Sequence, residues 1–198
     1  MYWWNNEHKV AVIEISKNAS TSFRENFHDW PSLNNSSLWR DGNEIEEIIV
    51  VFRDPYERFL SALNMFMKQQ HWLSSPKAPM RDAFPLFSPT KNCTQPTGTF
   101  NIVDTHFELQ SYSCYSPLYN KCPEKYTFFW MKGDVVSDVQ TYLWNKYKIT
   151  PPKYGKIHKH KRRYNIIEKV NRTSVENTYK DDYEFFEKLS KEHKWENQ

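Results

Sequence analysis

Three short apolar runs, separated by stretches with helical spacing, limit most strongly what this chain can fold into. Residues 10–15 (VAVIEI), 45–52 (IEEIIVVF) and 127–131 (TFFWM) are rich in β-branched and aromatic side chains. Runs of that length read as buried strands. Between and after them come helical patterns. Residues 23–27 form a short one. Asp54 and Pro55 suit the N-cap and first helical position of a second, which should run to about Gln70 with Phe59, Leu60, Leu63 and Phe66 on one face. Asp134 caps a third, with Val136, Val139, Leu143 and Tyr147 aligned. A capping box at residues 173–176 (TSVE) opens the last, whose stripe is Val175, Tyr179, Phe186 and Leu189. Strands that alternate with helices call for crossover connections, so the expected class is α/β with a parallel sheet. The length of 198 residues suits one domain over the whole chain. It would carry an irregular, Pro- and Ser-rich connection at about 71–100 and a basic loop at about 153–163.

Composition narrows the partners. Net charge is only +3 and aromatic residues make up 17% of the chain. The balance excludes a polyanion-coating protein, so no nucleic-acid partner is expected, and the aromatic share excludes a disordered chain. No stretch approaches the ~20 apolar residues of a membrane span. The first residues (MYWWNNEHKVAVIEIS) lack the basic-then-apolar order of a signal peptide. Both point to a cytoplasmic chain. There are three cysteines, Cys93, Cys114 and Cys122. With His106 they could be read as zinc ligands, but no C-x-x-C pair is present, and no metal is expected.

Two segments carry candidate chemistry. The first is Lys17, Asn18, Ala19, Ser20, Thr21 and Ser22, between the first strand and a helix. A loop that feeds a helix offers backbone N–H groups to an anion, here with three hydroxyls and a lysine. Only four glycines occur in the chain and the Gly-Lys-Ser/Thr ending is missing, so this is not a nucleotide-binding loop of the Walker kind. Read alone, it is also compatible with an ordinary capped turn. The second is residues 52–62 (FRDPYERFLSA). Arg53 leaves the end of a strand, the edge where open parallel sheets bind ligands. Arg58 and Ser61 follow on the next helix, an arrangement suited to a phosphate monoester. Alone, Arg58 could equally pair with Asp54 or Glu57.

Taken together, residues 15–23 (ISKNASTSF) and 52–62 resemble the 5′-phosphosulfate loop and the 3′-phosphate motif of sulfotransferases. The likeness is closest to the Golgi-type and heparan 2-O-type carbohydrate sulfotransferases. Residues 104–110 (DTHFELQ), the pair Cys114 and Cys122, residues 158–161 (HKHK) and residues 179–186 also resemble segments of that family. The resemblance implies a P-loop-like α/β fold. Its donor would be 3′-phosphoadenosine 5′-phosphosulfate, its product adenosine 3′,5′-bisphosphate, and its acceptor a hydroxyl, best placed on a carbohydrate. It implies that Lys17 contacts the sulfate and bridging oxygen, that the loop through Ser22 holds the 5′-phosphate, and that Arg53 and Ser61 hold the 3′-phosphate. The basic run 153–163, with Lys156, His158, Lys159 and Lys161, would close over the nucleotide. The same likeness puts a local disulfide at Cys114 and Cys122, which a cytoplasmic setting would leave reduced.

The base that takes the acceptor proton is open between His106 and Asp41, with His28, Asp29, Glu44, Glu46 and Glu47 also in the interval where relatives carry it. Two other readings remain: a nucleotide or small-molecule kinase on a related fold, and a domain that binds a nucleotide or sulfated glycan without transfer. Four glycosylation sequons occur, at Asn18, Asn35, Asn92 and Asn171. A glycan on Asn18 would block the first loop.

Overall fold

The computed structural model of the protein describes residues 2–15, 17–33, 45–73, 109–111, 117–150, 170–192 and 195–197. The chain divides into two compact units. The first gathers Met1–Arg53, Tyr112–His158 and Lys188–Gln198, and the second Asp54–Ser111 and Lys159–Glu187.

The first unit is built on a sheet. Its strands are β1 (Tyr2–Asn5), β2 (Val10–Ile13), β3 (Ser32–Leu33), β4 (Glu47–Phe52) and β5 (Tyr126–Trp130), in the spatial order β3-β1-β2-β4-β5. β2, β4 and β5 run parallel, as the alternation of strands and helices required, with Ile13 opposite Val50 and Val50 opposite Phe128. The fold is therefore mixed α/β. β1 and β3 were not expected. β1 pairs antiparallel with β2 across the turn at Asn6–Lys9, and β3 pairs antiparallel with β1. The pattern of β1 is obscured because Trp3, Trp4 and Asn5 give no clean alternation, and the two residues of β3 are too few to show one.

Every residue of β4 is buried, as befits a strand covered on both faces. Ile49, Val51 and Phe129 share one face with Val10, Val12 and Trp3. They pack with α1 (Ser20–Asn26) through Phe23 and with α4 (Val135–Tyr147) through Val136, Val139 and Leu143. The alternate residues of β5, Tyr126, Phe128 and Trp130, belong to an aromatic group with Phe52, Tyr119 and Trp195 on the other face. Tyr119 sits on the short α3 (Pro117–Lys121). The Asp134 carboxylate accepts from Ser137 N at 3.3 Å, so the third expected helix begins where the sequence placed it.

The second unit contains α2 (Pro55–Leu73), α5 (Arg172–Thr178) and the first part of α6 (Lys180–Glu192). Asp54 Oδ1 accepts from Glu57 N at 2.8 Å and Pro55 opens α2, the expected start. α2 extends to Leu73, so residues 71–73 of the expected irregular connection are helical, and residues 74–100 lie outside the described residues. Phe59, Ala62, Leu63, Leu109, Val175 and Tyr179 form the core of this unit. The expected last helix is two: Tyr179 is the C-cap of α5, and α6 follows. The N-cap is Asn171, whose Oδ1 accepts from Ser174 N at 3.1 Å. Thr173 therefore lies inside the first turn, and Glu176 pairs with Arg172 instead of closing a capping box. Phe185, not Phe186, is the deeply buried aromatic of α6.

Candidate functional site

Lys17, Asn18 and Ala19 connect the exit of β2 to α1. Lys17 has φ 70° and Ala19 φ 59°, while Asn18 between them keeps a negative φ. Left-handed backbone costs a residue with a Cβ roughly 1–2 kcal/mol, so it must be held in place.

Two hydrogen bonds do the holding. Asn18 Nδ2 donates to Val51 O at 2.8 Å, and Arg53 Nη1 donates to Lys17 O at 3.0 Å. Both acceptor and donor on the far side belong to the end of β4, the strand next to β2. The loop of the first motif and the arginine of the second, 36 residues apart, thus meet at the C-terminal edge of adjacent parallel strands.

The loop residues divide by task. Asn18 is buried and its N–H donates to Ile15 O at 3.0 Å, so its N–H and side-chain amide are both spent on shape. Lys17, Ala19, Ser20 and Ser22 are half-buried, and Thr21 is exposed. α1 opens at Ser20, earlier than the Phe23 start that the sequence suggested. Its N-cap, Ala19, has no side chain that could accept from the first-turn N–H groups. Arg24 in the last turn of α1 pairs with Glu14 at the exit of β2 and ties helix to strand. Ser61 is half-buried on α2.

Arg58 is not placed as a surface clamp. It is fully buried in the second unit, where Asp182 and Tyr179 feel its charge. Asp182 is buried too. It accepts from Gln110 N at 3.0 Å and Ser111 N at 2.8 Å, and fixes the end of the 104–110 segment onto α6. Burial raises the Asp182 carboxyl above its ordinary value, against the pull of those N–H groups and of Arg58.

Of the candidates for the base, Glu47 is committed elsewhere. Its carboxylate is buried at the start of β4 and accepts from Thr127, from Tyr142 and Lys146 on Oε1, and from Tyr147 on Oε2. Burial alone would push it up, but these four donors outweigh burial and hold it below the ordinary 4.5. Sequence reasoning missed this cluster. Its traces were an acidic residue in an apolar run and a Tyr142–Lys146 pair one helical turn apart. His28 is exposed, with Nε2 3.0 Å from Asp29. His106, Asp41, Glu44, Lys156, His158, Lys159 and Lys161 lie outside the described residues, as do Cys93 and Cys114. Cys122 is a half-buried free thiol.

Among the described residues no group of three or more His, Cys, Asp or Glu is placed to hold a metal ion. No described helix is long and apolar enough to cross a membrane. The class these features define is a mixed α/β protein with a braced, cation-bearing loop at the ends of its parallel strands. No family model, curated protein or solved structure matches the chain.

Proposed function

We propose that the chain is a sulfotransferase that moves the sulfuryl group from 3′-phosphoadenosine 5′-phosphosulfate to a hydroxyl of a carbohydrate. The observation that carries this reading is the hydrogen bond from Arg53 to the Lys17 carbonyl. It joins the two motifs that resemble the donor site, at the sheet edge where parallel α/β proteins bind ligands. The parallel strand core favours the same reading, a P-loop-like sulfotransferase fold.

In the reaction, the acceptor oxygen attacks sulfur and the bond from sulfur to the bridging phosphate oxygen breaks. The electron pair leaves with adenosine 3′,5′-bisphosphate, and the acceptor proton goes to a base. His106 and Asp41 are the candidates for that base. Lys17 offsets the charge that grows on the bridging oxygen, the largest kind of help in transfer between oxyanions. Ser20, Thr21 and Ser22 hold the 5′-phosphate, and Arg53 the 3′-phosphate. Lys17 and the loop supply the charge that a metal would otherwise provide, so the reaction needs none.

Calorimetric titration with adenosine 3′,5′-bisphosphate tests the reading. Binding is expected, and Arg53→Ala should weaken it about tenfold to a hundredfold, the loss typical of a hydrogen bond to a charged group. Lys17→Ala should retain binding and lose transfer. Equal affinity for adenosine 5′-monophosphate would remove the 3′-phosphate clamp and the proposal with it.

A further inference from the structure

The segment Trp195–Asn197 lies along β5, an edge strand, and treats it as a neighbouring strand would. Glu196 N donates to Phe128 O at 3.2 Å. The side-chain amide of Asn197 then imitates a peptide group: Oδ1 accepts from Trp130 N at 3.0 Å and Nδ2 donates to Trp130 O at 2.9 Å. Nδ2 also donates to Asp138 on α4 at 2.8 Å. An open edge carries unpaired N–H and C=O groups, so this pairing closes a length of it. The Trp195 ring is buried, with its centroid 5.6 Å from that of Trp130, 6.1 Å from Phe128 and 6.4 Å from Phe52.

These contacts bear on the loop. Trp130 is followed by Met131, whose N–H donates to Phe52 O at 2.7 Å. Phe52 immediately precedes Arg53, which holds Lys17 O, and Val51, which holds Asn18, is the residue before Phe52. Trp195 therefore presses on the residue that lies between the loop's two anchors.

We propose that Trp195 and Asn197 are positioning residues for the Lys17–Ala19 loop, fixing the end of β4 from which Arg53 and Val51 hold it. The proposal rests on the loop and Arg53 forming one anion site. The coupling needs no contact between the segment and a ligand. It acts through a contiguous set of packed rings and hydrogen bonds whose loss frees the strand end.

Asn197→Ala and Trp195→Leu in the full chain test it, with native-state amide exchange and titration of adenosine 3′,5′-bisphosphate as readouts. The expected result is exchange about tenfold faster at Trp130, Met131 and Asn18, with the β1–β2 amides unchanged, and a Kd about tenfold higher. Faster exchange at Trp130 and Met131 alone, with Asn18 and the Kd at wild-type values, would overturn the proposal, since the segment would then only seal an edge. A uniform rise that includes β1 and β2 would overturn it too, because the segment would then be a general stabiliser. If the wild-type protein does not bind the bisphosphate, the functional reading fails, and exchange at Asn18 still decides the mechanical claim. Trp195→Leu removes a buried ring and risks misfolding. Asn197→Ala changes a half-buried polar side chain and keeps the test available.

Discussion

At the scale of single residues, Asn18 shows how a loop position can spend its side chain on the shape of its own backbone. Its type in a loop beside Lys17 suggested a place in the ligand cradle. Its burial and its bond to Val51 O make it a brace of the loop. Asn18→Ala should leave a buried carbonyl unpaired and destabilise the protein by about 1–3 kcal/mol in urea unfolding. Asn18→Gln, with an extra methylene in a tight place, should not rescue it. Burial of Asn18 also implies that its sequon is not used: expression through a secretory route should give no glycan at Asn18 by peptide mass mapping.

Glu47 makes a second residue-scale case. Its folded value lies below its unfolded value, so its contribution is complete above about pH 4.5 and is lost as pH falls through the folded value. Glu47→Gln should cost about 1–3 kcal/mol near neutrality, because Lys146 and three hydroxyls lose their anion while half-exposed Lys146 regains water. The same variant should flatten the acid limb of the stability profile. An unchanged limb would show that other carboxylates set it. Neither pairing was legible, because period and composition say nothing about which side chains meet across the fold. Arg53 was legible, since a strand end followed by Asp-Pro fixes where it stands.

At the scale of elements, the runs with strong periodicity came through and the short ones did not. β2, β4, β5, α2 and α4 follow from apolar spacing and caps. β1 and β3 depend on pairing partners, which a single segment does not reveal. α1 begins earlier than its apolar residues suggest, because Ser20–Ser22 join it on the strength of the loop's anchors and not of their own helix preference. α4 ends on Lys148 in the left-handed conformation, with its N–H on Trp144 O at 3.0 Å. Glycine is the usual residue there. Lys148→Gly should raise stability by about 0.5–1 kcal/mol, read as a higher melting temperature. Lys9, left-handed at the end of the β1–β2 turn, offers the same opportunity. With only four glycines in the chain, such positions fall to residues that bear them at a cost.

At the scale of the whole molecule, the parallel strand core and the order of its elements could be read from the sequence, whereas the partition into two units could not. The partition depends on which distant segments pack together, as when Asp182 takes the backbone of Gln110 and Ser111. The sheet has a further consequence for how the chain acquires its structure. β1 and β2 close a hairpin across a few residues, a step of microseconds. β4 must then find β2 across residues 14–46, and β5 must find β4 across a far longer span before Trp195 can settle against both. Pairings of wide sequence separation are slow because loop entropy is lost before contacts repay it. The order is therefore set by geometry: hairpin first, parallel additions next, seal last. In stopped-flow refolding, Trp3→Phe should remove part of the earliest fluorescence change and Trp195→Phe part of the last. Until that last event the outer edge of β5 stays open to other chains, so the interval before Trp195 docks is when a refolding sample is most prone to aggregate, and dilution should raise the yield.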